Sequence, residues 1–455
     1  MLSQSDTIVA PATPSGEGAL AMVRLSGDQT LEIVQKMVPG LSLYEMVSHT
    51  ARFGIVRYPG GKIIDECVLT VYKNPSSFTG EDMVEISCHG SDFIVQKILE
   101  LSILHGARMA QPGEFTMRAF LNGKMDLSQS EAVIDLIKAD SDAAHDQAMH
   151  QLRGGFSHDI LHLREKIIEF AALIELELDF GEEDVAFADR TQLRETVGEL
   201  LRFIAQLKDS FQLGNVIKQG VPTVIAGRPN AGKSTLLNAL LREDRAIISD
   251  IPGTTRDTIE ASLIIRGVRF RIIDTAGIRD TSDKIESLGV DRALSTIRKS
   301  YLVVYLYDAS TQSSEEVWKD IEGLELTHQK VILAANKSDL SILPDIQPKT
   351  DHAHIRISAK QNQNIDALKE RMYQLAIGDT PFTDRSIVTN ARHFEALTKA
   401  HESLMRVQNG LEEDIPSDLI AMDIRQASYH LGSIIGQVDP DDLLDYVFSN
   451  FCIGK

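Results

Sequence analysis

Gly227-Arg228-Pro229-Asn230-Ala231-Gly232-Lys233-Ser234 fits the pattern G-x-x-x-x-G-K-[ST]. It follows the strand-like run Thr223–Ala226 and precedes the helical run Thr235-Leu236-Leu237-Asn238-Ala239-Leu240, which is the context a phosphate-binding loop requires. The glycines let backbone N–H groups turn toward phosphate oxygens. The helix start adds the positive end of its dipole. Residues Asn230, Ala231, Gly232, Lys233, Ser234 and Thr235 would therefore surround the phosphates. Lys233 is placed for the β- and γ-phosphates, and the Ser234 hydroxyl for Mg²⁺.

Working outward, strand-like runs at Arg269–Ile273, Leu302–Tyr307, Val331–Ala335 and His354–Ile357 alternate with helical stretches. That alternation predicts a mainly parallel sheet covered by helices. Three further motifs stand at strand ends. Asp274-Thr275-Ala276-Gly277 offers a carboxylate for Mg²⁺ through water and a glycine N–H for the γ-phosphate. In Asn336-Lys337-Ser338-Asp339, the Asp339 carboxylate can accept from guanine N1–H and the exocyclic amine, an edge adenine lacks. Ser358-Ala359-Lys360 follows the last strand and resembles the loop that completes a guanine pocket. The order of the four motifs points to GTP, not ATP.

Hydrolysis needs a positioned water. Ras-like enzymes place a Gln just after the D-x-x-G motif, but here the position holds Ile278, followed by Asp280, Asp283 and Glu286. The segment Ser249-Asp250-Ile251-Pro252-Gly253-Thr254-Thr255-Arg256-Asp257 offers Thr255 as a second Mg²⁺ ligand. Its carbonyls, with the Asn230 side chain, can cage a monovalent cation that stabilises developing charge as an arginine finger does. Spacing alone leaves this open against a turn-capping role for Asn230.

The 455 residues suggest about three domains of roughly 150 residues. Residues 1–120 read as α/β, with runs Ile8–Ala10, Leu20–Val23, Cys67–Val71 and Met83–Ile86 between turns. From Leu127 the pattern is helical, and Ile160, Leu163, Ile167, Ala171, Ile174 and Leu178 form one apolar stripe. That character is expected to break at Gly214-Asn215 and to return after Thr380-Pro381. The expected fold is multidomain α/β plus all-α. An N-terminal domain (1–120) precedes a helical domain (121–219 and 380–455), into which a Ras-like P-loop GTPase domain (220–379) is inserted.

A net charge of −20 argues against a chain that simply coats nucleic acid, since clustered Lys and Arg are needed to neutralise phosphates. Any RNA partner must meet a local patch or a more basic subunit. No run approaches the roughly 20 apolar residues of a membrane span. Met1–Asp6 has no signal-peptide character, and three cysteines make no disulfide framework. A cytoplasmic location is expected.

The Asn230-containing loop, Gly253–Asp257, Ile278 and the tail Phe451-Cys452-Ile453-Gly454-Lys455 resemble the tRNA modification GTPase MnmE (TrmE) family. So do Asp6–Pro14, Arg24-Leu25-Ser26-Gly27, Ser77–Asp82, Pro112-Gly113-Glu114-Phe115 and Arg118–Leu127. The resemblance implies an N-terminal folate-binding and dimerisation domain, with a 5-formyltetrahydrofolate- or methylenetetrahydrofolate-type cofactor. It implies a homodimer that joins an FAD-dependent MnmG (GidA)-type subunit in a heterotetramer acting on carbon 5 of wobble uridine, U34, in certain tRNAs. Potassium contacts carry over to Asn230, Ser249, Ile251 and Thr254, and the acidic hydrolysis residue to Glu286. Folate contacts carry over to Arg24, Glu85, Lys124 and Lys455. Unaided by the resemblance, each of these reads as a surface ion-pair partner. Cys452 is a candidate functional thiol, whereas Cys67 and Cys88 read as buried core and His89 as structural. Two positions depart from the family pattern, Ser91 after His89-Gly90 and Gln111 before Pro112. The alternative is a regulatory GTPase of ribosome assembly, which predicts a basic RNA-binding appendage in place of the acidic helical segment.

Overall fold

The computed structural model describes residues 6–179, 190–243, 260–274, 294–340, 352–378, 386–413, 415–437, 451 and 454. Two compact units emerge, Met1–Ile134 with Gln151–Lys166 and Ser428–Lys455, and Asp135–His150 with Ile167–Ala427. No helix among the described residues is long and apolar enough to cross a membrane.

The first unit is built on a six-stranded sheet of β1 (Ile8–Pro11), β2 (Gly18–Ser26), β3 (Thr50–Arg57), β4 (Ile63–Tyr72), β5 (Met83–Gly90) and β6 (Arg108–Met109), ordered β3-β4-β5-β2-β1-β6. Alternate residues Val23, Leu25, Leu69, Val71, Val84 and Ile86 face a core completed by α1 (Thr30–Met37) and α2 (Asp92–Leu104). Cys67 and Cys88 lie in this core at 2% and 1% exposure, as expected of small apolar residues. The four apolar runs fall in β1, β2, β4 and β5. Strand β3 gave no such signal, because Gly54 interrupts its pattern. A Cβ there would stand 2.5 Å from Leu69 Cδ1, so the core itself demands the glycine.

An ionic cluster locks this unit at the start of α3 (Glu114–Leu121). Arg108 donates to Asp6 and to both oxygens of Glu114, while Arg118 donates to Asp6, Glu114 and Glu81. Gln111 contributes its backbone N–H to Glu114 at 2.8 Å, a contact that any residue other than proline can make. Glu114 and Arg118 are only 1% and 5% exposed, so removing either partner strands a buried charge. Glu114→Ala should therefore cost about 3–5 kcal/mol, read from the exchange free energies of the β1 and β5 amides. Unchanged protection would mean the cluster is energetically idle. Burial pushes the Glu114 carboxyl up, but Arg108, the Gln111 N–H and Arg118 outweigh it and hold it below its ordinary value. A carboxyl depressed in the folded state stabilises above its unfolded pKa of about 4.3. That contribution is lost as pH falls through the lower folded value.

Helices α4 (Leu127–Lys138), α5 (Asp142–Leu152), α6 (Gly155–Asp179) and α7 (Arg190–Gln219) follow. In α6 the expected stripe is buried at Ile160, Leu163, Ile167 and Ile174 and half-buried at Ala171, while the Leu178 side chain lies outside the described residues. The expected break at Gly214-Asn215 does not occur, and α7 runs on to Gln219 before Gly220 turns at φ +79°. Gly214 serves close approach instead. A Cβ there would meet the Val388 carbonyl oxygen at 2.0 Å. The returning chain is held at this seam by Val388 N–H donating to Ser210 Oγ at 3.0 Å and by Phe211 stacking on Phe394 at 4.5 Å.

The second unit carries a six-stranded sheet of β7 (Val221–Ala226), β8 (Glu260–Ile265), β9 (Val268–Asp274), β10 (Leu302–Asp308), β11 (Lys330–Asn336) and β12 (Ala353–Arg356). Its order is β12-β11-β10-β7-β9-β8, and all pairings are parallel except β8–β9. The five expected strands are present. Edge strand β8 is the addition, turning into β9 through Arg266 and Gly267 at φ 50° and 78°, as a tight hairpin requires. Helices α8 (Lys233–Glu243), α9 (Ser314–Glu322) and α10 (Ile365–Ile377) belong to the same domain. Strand β10 buries Leu302, Val304 and Leu306 in one cluster and Val303, Tyr305 and Tyr307 in another, so both sheet faces are covered. Beyond the domain lie α11 (Ala391–Glu412) and α12 (Ser417–Ile434).

Candidate functional site

In an open parallel sheet, ligands bind beyond the carboxyl ends of the strands. All the described nucleotide motifs meet there. β7 ends at Ala226, and Gly227 turns at φ +149° under β10, where a Cβ would strike Leu306 O at 2.1 Å. Asn230 takes the left-handed conformation at φ 63°. Gly232 is required because a Cβ would lie 2.4 Å from Asn336 Nδ2. α8 then begins at Lys233, whose ammonium donates to the Gly227 and Arg228 carbonyls at 3.0 and 3.1 Å. Ser234 and Thr235 are exposed on the first turn of α8.

Asn336 ties the loops together. Its Nδ2 donates to Ala231 O at 2.7 Å, and its Oδ1 accepts from Ala359 N–H at 3.0 Å. At 3% exposure it is a buried cross-link between the phosphate loop and the Ser358-Ala359-Lys360 loop. Ser358 donates to Asp339 Oδ1 at 2.6 Å. That hydrogen bond holds the Asp339 carboxyl below its ordinary value, so Asp339 is an acceptor at neutral pH. Lys337, at φ 64°, reaches Asp308 Oδ2 at 2.6 Å. Burial raises the Asp308 carboxyl, but Lys337 and Ser310 outweigh it and keep it ionised.

β9 ends at Asp274, whose backbone pairs with Ile225 of β7. The side chain of Asp274 lies outside the described residues, as do Ser249, Ile251, Thr254, Thr255, Thr275, Ala276, Gly277, Ile278, Asp280, Asp283 and Glu286.

A second cluster forms in the first unit. Arg24 and Glu85 pair across β2 and β5 at 2.9 and 2.6 Å, and Tyr72 donates to the other Glu85 oxygen at 3.1 Å. Arg24 also reaches Gly454 O at 3.4 Å and lies 5.8 Å from the rings of Phe78 and Phe115. The pair is thus largely buried beside Gly454, not a free surface pair. Lys124 donates to Pro75 O at 3.0 Å. Lys455 and Cys452 lie outside the described residues. His89 is held by buried Asp65 through both Nδ1 and its backbone N–H, each at 2.8 Å, consistent with a structural residue. Burial pushes the Cys88 thiol up to about 11, so it is inert at neutral pH.

Sequence reasoning did not single out Arg228, Tyr305, Asp308, Glu316 or Asp320. Ser313 and Glu316 form a capping box at the start of α9, but that local pattern does not reveal that α9 touches the phosphate loop.

Comparison with known proteins agrees with this picture. A family profile described as MnmE helical domain matches residues 127–452, and one described as GTP-binding protein TrmE N-terminus matches residues 7–124. A curated "tRNA modification GTPase MnmE" from Cytophaga hutchinsonii is 50% identical, covering 100% of this chain and 98% of its own length. Relatives of the same name from Flavobacterium psychrophilum and Bacteroides fragilis are 48% and 47% identical, each covering 99% of both chains. With its four guanine-nucleotide motifs in order and relatives matched from end to end, the chain is a GTPase belonging to the MnmE family.

Proposed function

We propose that the chain hydrolyses GTP to drive the modification of carbon 5 of wobble uridine (U34) in certain tRNAs, adding a (carboxymethyl)aminomethyl-type group together with an FAD-dependent MnmG-type subunit. The observation that carries the GTPase half is Asn336, which binds the phosphate loop and the Ala359 N–H at once and so gathers Lys233, Ser234 and Asp339 at one sheet end. Support for the tRNA half comes from the curated relatives, whose names specify tRNA modification.

In this reading, Asp339, Ser358, Ala359 and Lys360 form the guanine pocket, with Asn336 bracing it and Lys337 beside it. Asn230 to Thr235, with Thr275, Ala276 and Gly277, would bind the phosphates, the Gly277 N–H meeting the γ-phosphate. The exposed Ser234 hydroxyl at the start of α8 suits a Mg²⁺ ligand, with Thr255 as its second and Asp274 holding through water. Mg²⁺ held by these residues would neutralise phosphate charge. Asn230, Ser249, Ile251 and Thr254 would hold K⁺, and Glu286 would orient the attacking water where Ile278 cannot. Hydrolysis should therefore run on the order of tenfold faster in K⁺ than in Na⁺ at equal ionic strength. Equal rates would remove the cation from the mechanism.

Residues 1–120 would form the folate-binding and dimerisation domain, 121–219 and 380–455 the helical domain, and 220–379 the GTPase domain. Arg24 and Lys124, with Lys455, can pair a folate's glutamate tail, and Glu85 can accept from the pterin edge. The clustering of Arg24, Glu85, Phe78 and Phe115 beside Gly454 fits a flat, charged ligand. Cys452 remains a candidate thiol of this tail. The assembly is a homodimer joined to its partner as a cytoplasmic heterotetramer. Nucleoside mass spectrometry of bulk tRNA from a strain lacking the gene tests the proposal. Loss of a C5-substituted uridine is expected, and an unchanged profile rejects it.

A further inference from the structure

Arg228 is a cation inside the phosphate loop, yet its fork points to α9. Nε donates to Asp320 Oδ2 at 2.6 Å, Nη2 to Asp320 Oδ1 at 3.1 Å and Nη1 to Glu316 Oε1 at 3.0 Å. Asp320 is fixed in turn by Tyr305, whose hydroxyl donates to the same Oδ2 at 2.6 Å. Tyr305 is 2% exposed on β10 and stands in register with Ala226, the last residue of β7 before the loop. The contacts close a ring: β7, Gly227, Arg228, Asp320, Tyr305, β10 and back to β7. Glu316 is simultaneously the acid of the α9 capping box, so its carboxylate has little freedom. The Gly227 and Arg228 carbonyls that hold Lys233 belong to this ring, and Asn230 follows two residues later.

We propose that Arg228 is a positioning residue for nucleotide binding: clamped by Asp320 and Glu316, it holds residues 227–230 of the phosphate loop ready for the nucleotide. Two carboxylates on its fork more than offset the guanidinium's charge, so Arg228 offers a phosphate no net cation and acts through the loop backbone. A preorganised loop has less order to lose when the nucleotide arrives, which raises affinity without a new contact. This rests on the GTPase reading, which binding of GDP by the unaltered chain tests separately.

The test is calorimetry of the full chain with GDP, Mg²⁺ and K⁺. Arg228→Ala, and Asp320→Asn combined with Glu316→Gln, should each weaken GDP by about tenfold. The triple variant should be no weaker than either, because all three changes open one ring. The KM for GTP should rise in step while kcat barely moves. Tyr305→Phe should give a smaller loss of the same sign. The melting temperature without nucleotide should change little, since half-exposed ion pairs contribute little to folding. Three results would overturn the proposal. Acid variants that bind as tightly as the unaltered chain would mean that Arg228 touches phosphate itself. Losses that multiply in the triple variant would mean independent roles. Lowered melting with unchanged affinity would reduce the ring to a structural brace.

Discussion

Asp339→Asn should weaken GDP and GTP binding by about 10³-fold or more, while the chain keeps its fold. The carboxylate is prepared to accept, held ionised by Ser358 at 2.6 Å. Guanine presents two donors, N1–H and the exocyclic amine. An asparagine would turn its own NH₂ against that amine and leave buried donors facing each other. Xanthine replaces the amine with a carbonyl, so its N1–H and O2 match an amide's acceptor and donor. The same variant should therefore gain affinity for xanthosine diphosphate. Calorimetry with the two diphosphates reads both effects, and an unchanged preference for GDP would place the base elsewhere.

Glu286→Ala should lower kcat by about 10²–10³-fold and leave GDP affinity within a factor of two, because Glu286 is assigned no contact in the ground state. Ile278 occupies the position from which a glutamine would orient water, and an alkyl side chain has no hydrogen bond to offer. A Glu286→Gln variant separates two roles. Retained turnover would show that the residue only orients the water, whereas loss as deep as in Glu286→Ala would show that its charge or basicity matters. Single-turnover hydrolysis, measured beside GDP binding, gives both numbers. An alanine variant that cannot bind GDP would make Glu286 a structural residue.

Much of the nucleotide domain was legible because each motif is local. The Gly227–Ser234 loop, the Asn336–Asp339 tetrad and the strands that deliver them announce themselves within a few residues. The rest depends on contacts across the chain. Gly214 reads as a helix breaker in isolation, yet the helix runs on to Gln219, and the glycine serves the close approach of the Val388 carbonyl. Strand β8 lacked a signal strong enough to separate it from its hairpin partner. Arg24 and Glu85 look like ordinary surface charges until β2 and β5 set them side by side. Arg228 and Asp320 are 92 residues apart, and no periodicity encodes their meeting. Buried ion clusters such as Arg108–Glu114–Arg118 are likewise invisible to hydropathy, which counts each member as solvent-seeking.

The seam between α7 and the returning chain carries a consequence in polymer terms. Ser210 and Val388 are hydrogen-bonded although 178 residues separate them, so the entire nucleotide domain is a loop closed at its neck. Closure entropy grows only with the logarithm of length, each doubling adding about 0.6 kcal/mol. The neck is thus nearly indifferent to the size of what it encloses. It is far from indifferent to one atom, since any Cβ at Gly214 would sit 2.0 Å from the Val388 oxygen. The junction behaves like a clasp that tolerates any length of strap but only one thickness of pin.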